Sequence, residues 1–302
     1  MGNNDLQYKQ TTEIMAPEII GDTNRGPNVW KKILSNKGAV FGISIIIITL
    51  IIAIFAPFFA THGYAVMELP QMLKAPSLQN FFGTDEFGRD IFSRVVYGAQ
   101  VSLLVGFGAV GITMIIGITL GALAGYYGGI IDHIITGLTD IAWSFPAVIL
   151  AIAFVAVLGP SLPTVIIVVA LVSWGGFTRI VRAQFLTLRE QEFIDATRVL
   201  GMSDMRIIFK HLLPNSLAPI IVLTTMEVPK AIIIEASLSF LGLGVQPPTP
   251  SWGSIMSAGR SYIVEAPWII LFPGLALALF VLGFNLFGDA LRDILDPRLK
   301  KE

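Results

Sequence analysis

The chain has 302 residues, of which 54% are hydrophobic and 14% are charged, and its formal net charge is −1. Soluble domains carry about 25% charged residues, so this composition predicts a membrane protein and excludes a soluble domain with one anchor. The chain has no excess of positive charge to favour nucleic acid, and its lack of cysteine excludes disulfides, thiol catalysis and cysteine-bound zinc. Because His62, His133 and His211 lie far apart in the sequence, no metal site is predicted.

Six stretches are apolar enough to cross a bilayer as helices, since about 20 such residues span its hydrocarbon core. They are Ala39–Ala60, Val101–Gly125, Ile134–Leu158, Leu162–Thr178, Leu217–Leu241 and Trp268–Gly288. The predicted fold class is therefore all-α, a polytopic membrane protein with six transmembrane helices. The first apolar run begins too far from Met1 for a cleavable signal peptide, so we expect this span to remain in the mature protein.

The distribution of positive charge predicts the orientation of these spans. An even number of spans places both termini on one side, and the segments on that side hold 15 of the 20 Lys and Arg residues. The opposite segments hold only four. The positive-inside rule therefore predicts that both termini are cytoplasmic, with external loops at about 61–100 and 242–267 and a cytoplasmic loop at about 179–216.

The polar lead before the first span ends in an amphipathic segment, Pro27–Lys37. Its apolar side chains fall on one helical face, with lysines beside them: Val29, Trp30, Ile33 and Leu34, flanked by Lys31 and Lys32. This pattern favours a short helix lying on the inner leaflet. The alternative is that the segment is only the water-exposed start of the first span.

The second span carries glycine at every fourth position, namely Gly117, Gly121 and Gly125, followed by Gly129 just beyond it. Four residues is about one helical turn, so these glycines form a smooth stripe where another helix can approach closely. The stripe predicts a tightly packed neighbour, either inside the chain or in a partner subunit.

The predicted cytoplasmic loop contains a charged, amphipathic segment, Phe185–Ser216. Its pattern indicates two short helices joined by a glycine elbow at Gly201, because glycine commonly ends a helix in the left-handed conformation. Ser203 or Asp204 can cap the second helix, which we expect at Met205–Leu212 and which Pro214 would close.

The residues of this loop have a characteristic spacing: Asp195, Ala196, Thr197, Gly201, His211, Leu213 and Pro214. The spacing resembles the EAA loop of bacterial ABC importer permeases, in which an acidic-Ala-Ala helix docks into a cleft of the ATPase subunit. The chain departs from that pattern with Asp195 in place of glutamate and Thr197 in place of alanine. His211 is typical of the peptide and nickel branch of the family.

Three further segments carry the resemblance, which runs from about Trp30 to Lys300. One is the external signature before the second span, whose members are Gly83, Thr84, Asp85, Gly88, Arg89 and Asp90. Gln100 stands where the family usually has arginine. The others are Glu235–Gly244 with the following Ser251-Trp252-Gly253, and the tail segment Gly288–Arg298. A calcium site in the loop around Asp85 is disfavoured, because Phe87 occupies a position that would need an oxygen ligand.

The resemblance implies a type I ABC importer permease in the bacterial inner membrane, forming half of the translocation pathway for di- or oligopeptides. Such a chain is not an enzyme and binds no cofactor or metal; ATP and Mg²⁺ are bound by partner ATPases. The implied partners are a second homologous permease, two ATP-binding subunits, an extracytoplasmic solute-binding protein and the lipid bilayer, with no nucleic acid. The alternative is import of nickel or a metal chelate. An ion-coupled secondary transporter is less favoured, because no inverted repeat is visible.

The same resemblance divides the chain into four parts. Residues 1–38 are the cytoplasmic tail with its interfacial helix, and residues 39–100 are the first transmembrane helix and its external loop. Residues 101–290 form a five-helix permease core containing the coupling loop 183–216, and residues 291–302 are a second cytoplasmic tail.

Ionisable residues inside spans are costly and mark functional positions. In span five, Glu227 and Lys230 are three residues apart and can share a helix face, and Pro229 should kink the helix between them. We expect Glu227, Lys230 and Glu235 to line the translocation path, with Glu235 at an outer gate or subunit contact. The alternative for Glu227 and Lys230 is a self-paired structural ion pair. In span three, Asp140 lacks its usual cation, because Gly137 stands where the family commonly has arginine.

Overall fold

The computed structural model describes residues 29–295, and within that range the chain is helical and lacks β-strands apart from one bridge between Thr84 and Asp90. The helices are α1 (Val29–Ser35), α2 (Lys37–Ile54), α3 (Ala56–Phe59), α4 (Ile91–Tyr127), α5 (Gly129–Trp143), α6 (Ala147–Leu158), α7 (Leu162–Arg189), α8 (Glu192–Val199), α9 (Asp204–Ile207), α10 (Leu213–Asn215), α11 (Leu217–Phe240), α12 (Trp252–Gly259) and α13 (Trp268–Leu295). Short 3₁₀ turns lie at Leu69–Gln71 and Arg260–Tyr262, and a π-helical turn lies at Ile208–Leu212. The end of the C-terminal motif, Asp296–Arg298, and the lead up to Asn28 lie outside the described residues.

Among the described helices, five are long and apolar enough to cross a membrane, namely α2, α4, α7, α11 and α13. The prediction of one continuous helix at Ile134–Leu158 was wrong, because α5 and α6 replace it and meet at an angle of 91°. The break falls just before α6, at Ser144–Pro146. Proline lacks an N–H group and disfavours helical geometry in the residue before it, which explains the break at this point. The pair counts as a sixth span only if the two bent halves cross the membrane together.

Two spans are longer than their apolar segments predicted. Helix α4 begins at Ile91, ten residues before Val101, and α7 runs on to Arg189, well past Thr178. At 37 residues, α4 is about 55 Å long, whereas the hydrocarbon core is about 30 Å thick. The polar ends of both helices therefore extend beyond the apolar core, where hydropathy cannot detect them.

The glycine stripe of α4 packs against α7, so the close neighbour lies inside the chain. A Cβ atom on Gly117 would lie 2.3 Å from the Cβ of Phe177, and one on Gly121 would lie 2.7 Å from the Cβ of Val181. Gly125 is equally tight, whereas Gly129 has nothing within 4 Å and takes no part in this contact. The two helices approach so closely that any side chain beyond hydrogen would have to push them apart.

The first span is attached to the last one. A Cβ atom on Gly42 of α2 would lie 2.5 Å from the carbonyl oxygen of Gly283 in α13. The short helix α1 forms where the sequence predicts it, and its Ile33 is buried against Ala290 and Leu291 near the end of α13. Its position on the membrane surface stays a prediction.

The segment between α11 and α13 folds back into the bundle. Its short helix α12 begins with a capping box in which Ser251 and Ser254 each bond the other's backbone N–H. The Trp252 indole is buried and donates a hydrogen bond to the carbonyl of Val95 at 3.1 Å. This segment is thus a plug packed against α4, α11 and α13, and it positions the surroundings of Glu235.

Candidate functional site

The loop between α7 and α11, residues 190–216, is called here the elbow loop. The predicted pair of helices is confirmed, because α8 is followed by the bend and then by α9 and the π-helical turn over Asp204–Leu212. Gly201 lies at the bend with φ +72°, and an added Cβ atom would have nothing within 4 Å. Glycine is therefore required by the backbone conformation alone, since the surrounding space is open.

Helix α8 has one face turned into the chain and one turned away from it. Ile194 is completely buried, and Thr197 is buried with its hydroxyl donating to the Ile194 carbonyl at 2.7 Å. The outward face carries Val199 and Leu200, which are 87% and 74% exposed. Two adjacent apolar side chains left exposed at the end of a helix mark a candidate contact surface for a protein or a membrane.

The other motif residues of α8 are divided between its outward and inward faces. Asp195 and Ala196 are exposed on α8, and Asp195 accepts a hydrogen bond from Arg198 at 2.9 Å. Thr197 faces inward, so the three motif residues do not form one continuous outer surface. We note that spacing alone did not distinguish Thr197 from its neighbours.

The end of the elbow loop enters α11 through a tight turn. His211 is half-buried, and within the described residues its Nε2 has no hydrogen-bond partner. Asn215 donates to the His211 carbonyl at 2.6 Å, and Ser216 donates to the Leu212 carbonyl at 2.9 Å. Leu213 and Pro214 begin the single turn α10, so this end of the loop continues directly into α11.

Sequence reasoning missed two contacts with α4, one from the elbow loop and one from the end of α7 just before it. The Tyr126 hydroxyl donates to the Asp204 carboxylate at 2.7 Å, and the Arg189 guanidinium donates to the Gly125 carbonyl at 3.1 Å. Both join residues more than 60 positions apart, and no local pattern in the sequence indicates them. The loop is therefore attached to the second span as well as to the two helices that it connects.

Charged and aromatic side chains also lie on the spans themselves, on α5, α7 and α11. Lys230 donates to Glu227 at 2.7 Å, with Glu227 buried and the Lys230 side chain largely exposed. Asp140 finds its cation in the neighbouring span, because Arg179 donates to it at 2.5 Å and stacks on the Trp143 ring at 4.0 Å.

Gly176 brings these two groups onto one surface. A Cβ atom placed there would lie 3.8 Å from the Trp143 ring and 4.0 Å from the Glu227 carboxylate. The Trp143 ring, on which Arg179 stacks, and the Glu227 carboxylate therefore approach the same point of α7. Charges at membrane depth are favoured only where protein or water covers them, so this region is a candidate path lining.

A second cross-helix ion pair lies nearer the start of α5. Arg182 of α7 forms a bidentate interaction with Asp132 of α5, and its Nη2 donates at 2.6 Å. Together with Arg179 and Asp140, it fixes α5 against α7 before the helix break.

Glu235 lies in the interior of the chain. Its carboxylate is completely buried and accepts hydrogen bonds from Ser102 at 3.1 Å and Ser239 at 2.7 Å. Ser102 belongs to α4, so Glu235 joins α11 to α4 beneath the α12 plug. In this arrangement it contacts its own chain rather than an open surface.

The external signature folds into a hydrogen-bonded cluster, called here the polar knot (residues 61–94). The Asp85 carboxylate accepts from the backbone N–H groups of Phe87 and Arg89 at 2.9 Å each. It also pairs with the Arg89 guanidinium at 2.6 Å, and Arg94 lies 3.6 Å away. All three charged side chains are buried, so both guanidinium groups depend on Asp85 for their counter-charge.

Thr84 and Asp90 connect the knot to the rest of the molecule. The Thr84 carbonyl accepts from the Trp268 indole at 3.0 Å, which attaches the knot to the start of α13. Asp90 caps α4 by accepting from the Ser93 N–H at 2.8 Å and also accepts from Asn80 at 3.0 Å.

Two glycines of the knot have both positive φ and no free space. A Cβ atom on Gly83, at φ +75°, would lie 2.6 Å from the Lys74 carbonyl oxygen. A Cβ atom on Gly88, at φ +71°, would lie 1.9 Å from the Glu68 carbonyl oxygen. These glycines are needed for backbone contact as well as for conformation.

Glu86 is the acidic residue of the knot in which one carboxylate oxygen lacks a partner among the described residues. Burial raises the pKa of its carboxyl, and the neighbouring Asp85 charge raises it further. One oxygen lies 3.3 Å from Arg89, and within residues 29–295 the other has no hydrogen-bond partner. That part of the chain holds no cluster of three or more potential metal ligands.

Two family models match the chain. The one described as the binding-protein-dependent transport system inner membrane component matches residues 117–301. The one described as the N-terminal transmembrane domain of oligopeptide transport permease C matches residues 27–76. Together they cover both the core and the first span.

Several related proteins are similar over nearly the whole chain. The dipeptide transport system permease protein DppC of Alkalihalophilus pseudofirmus is 51% identical, over 90% of this chain and 89% of that protein. The glutathione transport system permease protein GsiD of Escherichia coli is 46% identical, over 94% and 95%. The oligopeptide transport system permease protein OppC of Bacillus subtilis is 40% identical, over 91% of each.

A solved structure shares the fold. A chain of the MetNI methionine ABC transporter in an inward-facing conformation matches with a TM-score of 0.54 and 20% identity, over 66% of this chain and 95% of that one. The predicted fold class, an all-helical membrane permease, is confirmed by this likeness and by the family matches. The number of spans and their orientation stay predictions.

Proposed function

Since this chain belongs to the family of binding-protein-dependent transport inner-membrane components, we propose that it forms half of the translocation path of an ATP-driven peptide importer. The chain is a membrane permease and not an enzyme, and ATP hydrolysis belongs to separate ATPase subunits. The observation that carries the peptide assignment is the 51% identity to a dipeptide permease over 90% of the chain. The glutathione and oligopeptide permeases support it, because the substrates in their names are peptides as well.

The proposed assembly contains a second permease, two ATP-binding subunits and a solute-binding protein outside the membrane. The family description supports partnership with ATPase and binding-protein subunits. The exposed apolar face of α8 supports a docked ATPase, since Val199 and Leu200 would otherwise remain in water. No cofactor is assigned to the chain itself; ATP and Mg²⁺ would be held by the ATPases.

The elbow loop is the proposed coupling element. In this proposal, Asp195, Ala196, Val199 and Leu200 enter a cleft of the ATPase, while Ile194 and Thr197 hold α8 to the permease. Gly201 sets the bend, and the segment through His211, Leu213 and Pro214 passes the movement to α11. The inward and outward faces of α8 support this division, because one helix cannot bury both faces in the same partner.

The polar region around Gly176 is the proposed lining of the path. Glu227 and Lys230 were expected there from sequence, and Asp140, Arg179 and Trp143 join them through Gly176. Paired charges of both signs suit a zwitterionic peptide that crosses between two permeases. Glu235 is proposed to act indirectly, by holding the α12 plug near the outer end of α11.

The membrane orientation is proposed from the positive-inside rule, with both termini cytoplasmic in the bacterial inner membrane. Reporter fusions after Lys74 and Arg260 should behave as external, and a fusion after Arg198 should behave as cytoplasmic. A reversed signal at any of these positions would overturn the orientation.

The substrate is tested by complementation. In cells whose own copy of this gene is deleted, the wild-type chain should restore uptake of a labelled dipeptide and leave nickel uptake unchanged. The variant Gly201→Val should be inserted normally but should not restore uptake, because a β-branched residue is strongly disfavoured at positive φ. Restoration of nickel uptake alone would favour the metal-chelate alternative, and full activity of Gly201→Val would remove the coupling role of the loop.

A further inference from the structure

A tyrosine of the second span contacts the elbow loop beyond its bend. The Tyr126 ring packs against the core, and its hydroxyl donates to Asp204 at 2.7 Å. Asp204 is the first residue of α9 and lies just beyond the bend at Gly201. Helix α4 therefore holds a part of the loop that is distant from it along the chain.

The end of α4 that carries this tyrosine is itself held in place. A Cβ atom on Gly125 would lie 2.6 Å from the Cβ of Phe185 in α7, so the two helices are in backbone contact. Arg189, at the end of α7, donates to the Gly125 carbonyl at 3.1 Å. Helices α4 and α7 thus form one body, which binds the elbow loop at its entrance and again beyond its bend.

The bend between these two attachments is closed by its own backbone. The Gly201 N–H donates to the Arg198 carbonyl at 2.9 Å and the Met202 N–H donates to the Thr197 carbonyl at 3.1 Å, which ties the segment beyond the bend to α8. Ile207 and Leu212 of that segment are buried in the core. The hydrogen bond between Tyr126 and Asp204 joins the same segment to the end of α4.

We propose that Tyr126 is a positioning residue for transport coupling. Its hydroxyl ties the segment beyond the bend to α4, so that displacement of α8 by the ATPase moves α4 and α7 as well as α11. The proposal rests on the proposed function of the elbow loop and adds a second route of force transmission, through span two. Without the hydroxyl, α8 would still dock, but less of its displacement would reach α4.

The test uses the assembled transporter in proteoliposomes and measures ATP hydrolysed per molecule of substrate imported. Tyr126→Phe removes only the hydroxyl, and we expect this ratio to rise roughly fivefold, because an exposed hydrogen bond contributes about 1 kcal/mol net, which corresponds to a factor of about five. Tyr127→Phe is the matched control, because the Tyr127 hydroxyl makes no hydrogen bond within residues 29–295. Co-purification of the ATPases should be unchanged in both variants.

Variants of Asp204 provide an independent test, since this exposed side chain can be replaced without loss of packing. Asp204→Asn keeps an oxygen that accepts the hydrogen bond and should retain coupling better than Asp204→Ala. The double variant of Tyr126→Phe with Asp204→Ala should be no worse than either single change. Equal ratios for Tyr126→Phe and Tyr127→Phe, or equal ratios for the two Asp204 variants, would overturn the proposal. If the ATPases failed to co-purify with the wild-type chain, the proposed function itself would fail instead.

Discussion

The polar knot and the elbow loop are both built around a glycine in the left-handed conformation, but their surroundings differ. Gly88 has φ +71° and Gly201 has φ +72°. An added Cβ atom would clash with the Glu68 backbone at Gly88, whereas at Gly201 it would meet nothing within 4 Å. The same backbone conformation is therefore packed against other parts of the chain in the knot and faces open space in the elbow loop.

Their charges differ in the same way. In the knot, the paired Arg89 and Asp85 side chains are only 7% and 2% exposed, whereas Arg198 and Asp195 in the elbow loop are 44% and 65% exposed. A buried pair requires both partners, while an exposed pair is screened by water. The knot is thus suited to hold α4 and α13 in place, and the elbow loop presents its charges at the surface.

The largest expected effect on stability comes from Gly88→Ala. The added methyl group would have to occupy the position of the Glu68 carbonyl, in addition to the strain of positive φ. We expect the variant not to accumulate in the membrane, as measured by immunoblot of membrane fractions. Gly201→Ala is the matched control, since it meets only the strain of about 1–2 kcal/mol for a left-handed residue. Equal abundance of the two variants would show that the two regions do not differ as described.

Asp85→Asn should have the next largest effect. It leaves Arg89 and Arg94 buried with less counter-charge, and breaking a buried pair costs about 3–5 kcal/mol. We expect a value near the lower limit, because Glu86 remains 3.3 Å from Arg89. Thermal unfolding of the detergent-solubilised transporter measures the loss. Asp195→Asn in the elbow loop should change stability by less than about 1 kcal/mol; a comparable loss there would contradict the comparison.

The smallest effect on stability is expected for Val199→Ser, since this side chain makes little contact within the chain. Its consequence should appear in assembly, where truncating an apolar interface residue weakens association by about 1–2 kcal/mol. Retention of ATPase subunits during affinity purification measures this effect. Val264→Ser changes an equally exposed valine in the segment after α12 and should leave ATPase binding unchanged. Loss of the ATPase in the Val264 variant alone would place the docking surface elsewhere.

Part of this site was predictable from local patterns. The bend at Gly201 and the two helices around it followed from the spacing of the loop, and the positive φ of Gly201 confirms the reason for that spacing. The break at Pro146 was missed, because hydropathy averages over a window and treats two bent halves as one apolar segment. Thr197 belonged to the motif but faces inward, because the packing of Ile194 determines how α8 is rotated.

The sequence by itself determined that the chain is an all-helical membrane protein with an exposed, bent loop between two spans. Hydropathy, charge distribution and motif spacing are properties of neighbouring residues, so they can be read without a fold. Only the tertiary structure decided which groups meet: Arg179 with Asp140, the glycine stripe with α7, Ser102 with Glu235, and Tyr126 with Asp204. Each of these contacts joins residues separated by dozens of positions, and it forms only because close helix packing brings their side chains within hydrogen-bonding or van der Waals distance.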